Sequence, residues 1–140
     1  MNPKILFRIA SVFFILFALG HTYGFLTFKP STAEGRAAQE AMNKTTFPIG
    51  GSFLTLGGFY VGFGLSITVH LLFAAVLAWQ LGSLAAAHAR AILGISWAFF
   101  AAQLVGVVLV WPYFAVPQKV PGLVVAAILG WAAWLLKSSR

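Results

Sequence analysis

The sequence predicts an all-α integral membrane protein: a four-helix transmembrane bundle with one short extramembrane helix in its first loop. Three observations carry this expectation. Hydrophobic residues make up 61% of the chain and charged residues only 8%, with a mean hydropathy of +0.94, whereas soluble domains carry about 25% charged residues. Four apolar runs approach or exceed the ~20 residues that a helix needs to cross ~30 Å of hydrocarbon. The runs are continuously apolar rather than alternating, and about twice the length of a barrel strand, so helices are expected and not a β-barrel.

The first span covers about 5–26. Lys4 and Arg8 followed by the apolar Ile9 to Gly20 resemble a signal peptide, but the apolar character continues to Phe28, which favours an uncleaved span. An outer loop over about 27–57 follows, and Ser31 to Glu34 has the spacing of a capping box that would start a short helix ending near Asn43. Arg36 and Glu40 stand four apart on that helix and can pair on its solvated face. Thr45 to Leu56, with Pro48 and Gly50-Gly51, is semi-apolar and suits either the membrane interface or a dip into the bundle. The remaining spans are expected over about 58–81, 91–111 and 121–137, with Pro121 in the first turn of the last, where its missing N–H costs nothing.

Charge sets the orientation. Nine Lys and Arg face only Glu34 and Glu40, a balance left by basic flanks of spans, with no basic patch interleaved with aromatics that would suit nucleic acid. With the N-terminus inside, Lys4, Arg8, Arg90, Lys137 and Arg140 lie on the inner face and Lys29, Arg36, Lys44 and Lys119 on the outer, so both termini are expected in the cytoplasm of a bacterial inner membrane. Tyr23, Tyr60, Trp111 and Tyr113 then form the outer aromatic belt, and Trp79 and Trp134 the inner one.

Small residues recur at four-residue spacing in three spans: Gly58, Gly62, Ser66, His70, Ala74, Ala78 and Gly82; Gly94, Ala98, Ala102 and Gly106; Gly122, Ala126 and Gly130. In lipid such rows let backbones approach closely, so three of them imply tight packing. His70 interrupts the first row near mid-depth, where an ionisable side chain is costly and ordinarily faces protein or water. With Ser66 one turn away and Gln103 near mid-depth in the third span, it forms the leading candidate ligand site. A structural alternative is a plain interhelical hydrogen bond, worth about 0.6 kcal/mol. His21 lies about 5 to 9 Å from His70 along an untilted membrane normal. Two histidines are the minimum for bis-His haem, which makes a haem redox subunit an alternative, with no other cofactor or metal site indicated. His21, Tyr23 and Tyr60 near the outer headgroup plane leave a lipid-modifying enzyme as a further alternative.

Absences narrow the classes. No cysteine occurs, which removes disulfide and thiol chemistry. No Asp or Glu lies in a span, which argues against exporters and sterol isomerases built on buried acids. Three histidines are too few for a desaturase cluster, Ser66 and His70 on one helix do not make a serine-hydrolase dyad, and no phosphate-cradling loop is present.

Phe59-Tyr60-Val61-Gly62-Phe63-Gly64-Leu65-Ser66 followed by Ala78-Trp79-Gln80-Leu81-Gly82, with Gly20-His21-Thr22 upstream, resembles a family of small bacterial four-span membrane proteins, similar to the DoxX-like group in size and layout. The resemblance covers mainly the first two spans, and relatives often carry charge where this chain has the nearly uncharged Thr45 to Leu56. It implies a bacterial inner-membrane location and no particular activity. The reading that follows leans away from catalysis. It is a protein binding a lipid, a quinone-like or other apolar ligand, or a partner membrane protein or second copy, with His70, Ser66, Gln103, His21 and Tyr60 as candidate ligand contacts.

Overall fold

A computed structural model describes residues 2–138, apart from the side chains at positions 117 and 118. It is all-α, with a single small hairpin. In chain order the elements are α1 (Pro3–Thr27), α2 (Ala33–Lys44), β1 (Thr46–Ile49), β2 (Ser52–Thr55), α3 (Leu56–Leu84), α4 (Ala89–Val110) and α5 (Val116–Ser138). Helices α1, α3, α4 and the Lys119–Ser138 part of α5 are long and apolar enough to cross a membrane, and the chain is a multi-pass membrane protein. The backbone is compacted into two units, one of Met1–Phe17 with Leu71–Arg140, the other of Ala18–His70.

The first unit has a continuous apolar core. Leu6, Phe7, Ala10 and Phe14 of α1 meet Ala75, Ala78 and Leu81 of α3, Ile92 of α4, and Val125, Leu129, Ala132 and Leu136 of α5. Phe14 stacks on Phe99 with centroids 5.6 Å apart. The buried Ser11 hydroxyl donates to the Ala75 carbonyl at 2.8 Å, and Ser96 donates to Ile92 four residues back, so neither buried hydroxyl is left unsatisfied in apolar surroundings. On α5, Gly122 and Gly130 make room for large side chains of α4: a methyl at Gly122 would come within 2.9 Å of Val107, and one at Gly130 within 2.9 Å of Phe100.

The small-residue rows expected to pack are used unevenly. On α3, Gly58, Gly62, Ser66 and His70 are exposed, Ala74 is half-buried, and only Ala78 and Gly82 are buried. A four-residue step overshoots one helical turn by about 40°, so a strict four-residue row winds off the packing face. The stripe that is buried or half-buried instead runs Gly57, Gly64, Thr68, Leu71, Ala75, Ala78 and Gly82, which after its first step alternates fours and threes, the period that keeps a seam on one face of the helix. On α4 the row Gly94, Ala98, Ala102 and Gly106 is exposed throughout, while Ile92, Ser96 and Val107 are buried. Packing between α4 and α5 sets large residues of one into the small residues of the other.

Local details depart from expectation at four points. Thr32, not Ser31, caps α2, its hydroxyl accepting from Gly35 N–H at 3.0 Å. Arg36 donates to the Ser31 carbonyl at 2.7 Å, and Glu40 pairs with Lys44 instead, consistent with the better order of an acid four residues before a base. Thr46 to Thr55, within the segment suited to the interface or to a dip into the bundle, forms a hairpin pairing Thr46 with Thr55 and Ile49 with Ser52. Gly50 and Gly51 take φ of 55° and 82°, the paired positive values that a two-residue turn requires. Pro48 lies opposite Phe53, one pair beyond Ile49 and Ser52, which close the turn. In an antiparallel ladder that is a non-hydrogen-bonded pair, so its missing N–H removes no rung. Finally, α5 begins at Val116, so Pro121 lies inside the helix and not in its first turn; its lack of an N–H leaves the carbonyl of residue 117 without the usual donor.

Candidate functional site

The second unit contains a groove of about 400 Å³, half open to its surroundings and lined by α1, the turn after it, α2 and the start of α3; Leu26, Phe28, Gln39, Asn43, Tyr60 and Val61 along it are exposed. Its apolar wall includes Phe25, Leu26, Phe28, Met42 and Val61, and its polar groups are Gln39, Asn43 and Tyr60. None of the residues lining it is charged. Small-molecule sites have this character: a volume of roughly 300–1,000 Å³, mostly apolar walls and a few hydrogen-bonding groups.

Each wall has a local cause. Gly35, Ala38, Gln39, Met42 and Asn43 sit at the one-face spacing of a helix, so α2 turns a single stripe toward the groove. The C-terminal end of α1 approaches α3 closely because Gly64 has no side chain: a methyl there would run into the Phe25 ring. Gly57 does the same for α2, since a methyl would collide with the Asn43 side chain and come within 3.3 Å of Asn43 Cα. Phe25 is held from both sides, stacked on His21 at 5.7 Å and 8° and tilted against Tyr60 at 5.1 Å. Centroid separations of this size lie in the favourable range for aromatic pairs.

His21 anchors that stack. Its Nε2 lies 3.0 Å from the Gly64 carbonyl, and a carbonyl only accepts, so Nε2 carries a proton and is the donor. Below it, Thr22 donates to the Ala18 carbonyl at 2.7 Å and meets Thr68 Oγ1 at 2.8 Å.

The other candidate contacts lie elsewhere. His70 and Ser66 are joined to their own helix: His70 Nδ1 donates to the Ser66 carbonyl at 2.7 Å, and the Ser66 hydroxyl donates to the Gly62 carbonyl at 3.0 Å. Both side chains are exposed. Gly64 is buried and His70 exposed on the same helix, so the His21 and His70 rings belong to different faces of α3 and do not converge on one point. Gln103 belongs to the first unit, half-buried, with its Nε2 3.8 Å from where a methyl at Gly122 would stand. Tyr23 is 74% exposed and takes no part in the groove. Of the five candidate contacts, the structure thus brings together His21 and Tyr60, through Phe25.

Phe25, Gln39, Asn43, Gly57 and Gly64 were not singled out by sequence. The one-face stripe of α2 was a readable signal, and so was the glycine pair at 57 and 58, of which the four-residue rule selects the wrong member. Among the described residues no group of three or more His, Asp or Glu side chains is placed to hold a metal ion. No family model, no curated protein and no solved structure matches the chain.

Proposed function

We propose that this protein binds a neutral, largely apolar molecule, such as a quinone-like compound or an uncharged lipid, in the groove walled by α1, α2 and α3. The observation that carries the reading is the lining itself. Apolar side chains surround Gln39, Asn43 and Tyr60, which offer donors and acceptors but no charge. A charged headgroup would find no countercharge among these residues, whereas a hydroxyl or carbonyl needs only the hydrogen bonds that their side chains supply. His21 positions the Phe25 wall rather than touching the ligand. Divergence of His21 and His70 onto different faces of α3 favours this reading over a haem held by both.

The proposed setting is the bacterial inner membrane with both termini cytoplasmic, which puts the groove at the outer interface, where an amphipathic ligand can exchange with the leaflet. The test is occupancy of protein released from its native membranes in mild detergent. Wild type is expected to carry a neutral adduct in a native mass spectrum, and Ala38→Trp, which fills the groove from α2, to lose it while keeping the helical circular-dichroism spectrum. An adduct equally abundant in Ala38→Trp places binding elsewhere and sinks the reading.

A further inference from the structure

In the first unit, Arg8 is held in a way that a free surface arginine is not. Its guanidinium carbon stands 3.1 Å from the centroid of the Trp79 ring, and Nη2 donates to Ser83 Oγ at 2.9 Å, while Ser83 donates to the Trp79 carbonyl at 3.1 Å. Nε is buried and has no hydrogen-bond partner. It lies beside Gly82, where a methyl would come within 3.4 Å of it and 3.1 Å of the Lys4 carbonyl. The side chain is therefore fixed between α1 and α3 with its charge in place, and Nη1 remains to meet a ligand.

No countercharge comes from the acidic side chains. The two acids of the chain are Glu34 and Glu40; both fall within Ala18–His70, and Glu40 is paired with Lys44. The start of α1, the start of α4 and the end of α5 add Lys4, Arg90 and Lys137 to the first unit without an Asp or Glu. A half-buried cation with no acidic side chain beside it is costly unless an anion offsets its charge, and at a membrane surface the abundant anion is the phosphodiester of an acidic lipid, toward which each nearby basic residue contributes about 1 kcal/mol.

We propose that Arg8, preorganised by Trp79 and Ser83, binds the headgroup phosphate of an anionic phospholipid in the leaflet at the N-terminal end of α1. The planar guanidinium suits this role because it stacks on the indole and still presents N–H donors in the plane of the ring. The site is distinct from the uncharged groove of the second unit and stands whether or not that groove is filled.

The experiment is competition between phosphatidylglycerol and phosphatidylcholine of equal chain length, read by native mass spectrometry of the full chain in mild detergent. Wild type should retain phosphatidylglycerol over phosphatidylcholine, whose phosphate is already offset by its own choline, by about tenfold, the scale set by a net negative headgroup beside a few basic residues. Arg8→Gln should lower the ratio about fivefold, to a remnant set by Lys4, Arg90 and Lys137, Lys44→Gln should leave it unchanged, and Ser83→Ala should lower it in part. If Arg8→Gln does not fold, Arg8→Lys provides the test, because it keeps the charge while losing the stack and the fork, and it should give an intermediate ratio. A wild-type ratio near one overturns the proposal, as does a preference that Arg8→Gln, or Arg8→Lys in its place, leaves intact. Complete displacement of the lipid by inorganic phosphate also overturns it, by marking a site for soluble anions.

Discussion

At the residue scale the arrangement turns on Gly64, which is small so that Phe25 can lie on it and whose carbonyl accepts from His21. Gly64→Leu forces both rings away, and overpacking of this kind costs about 1–3 kcal/mol. The expected outcome is lower stability in detergent unfolding together with loss of the neutral adduct. His21→Phe keeps an aromatic on Phe25 but removes the N–H donor, so it should cost only about 0.6 kcal/mol and leave the adduct in place. Abolition of the adduct by His21→Phe at unchanged stability would mean that the imidazole touches the ligand, contrary to its assignment as a support. His70 was the most conspicuous residue in the sequence, since a mid-span imidazole is expensive. Its ring is satisfied on one side by the Ser66 carbonyl, a local contact that spacing alone could not distinguish from an interhelical one.

At the scale of elements, the four spans were readable because apolar length is a one-dimensional property. The face each span buries is not, and a small-residue row at strict four-residue spacing misassigned half of α3 and all of α4. The structure makes a sharp contrast testable. Ala78 is fully buried and Gly62 exposed, although both lie on the same four-residue row. Ala78→Leu should lower stability by about 1–3 kcal/mol, and Gly62→Leu should be close to neutral, as read by thermal unfolding of the detergent-solubilised protein. Equal effects would contradict the buried stripe described for α3. The hairpin was also present in the sequence, as two glycines between short semi-apolar runs, but Pro48 obscured it: a proline ordinarily demotes a strand, and only the register reveals that its missing N–H falls at a non-bonded pair. Gly50→Val, at a φ of 55°, should cost about 1–2 kcal/mol in the unfolding of this unit.

At the scale of the whole molecule, composition specified the class and charge distribution the proposed orientation, whereas the groove was hidden because its walls come from three separate stretches of chain. Orientation has a direct check, since the natural chain has no cysteine and single reporters are free of background. Ser52→Cys should react with a membrane-impermeant maleimide in intact cells, and Ser138→Cys only after the membrane is opened. The reverse pattern would place the termini outside and move the proposed groove to the inner interface.

Whether the uncharged groove of the second unit holds a neutral apolar ligand is read most directly by a native mass spectrum of wild-type protein from its own membranes, with the adduct released and weighed by collisional activation. A single neutral species that survives Arg8→Gln and disappears in Ala38→Trp is the predicted result. A bare chain, or adducts made up only of anionic phospholipid, would contradict it.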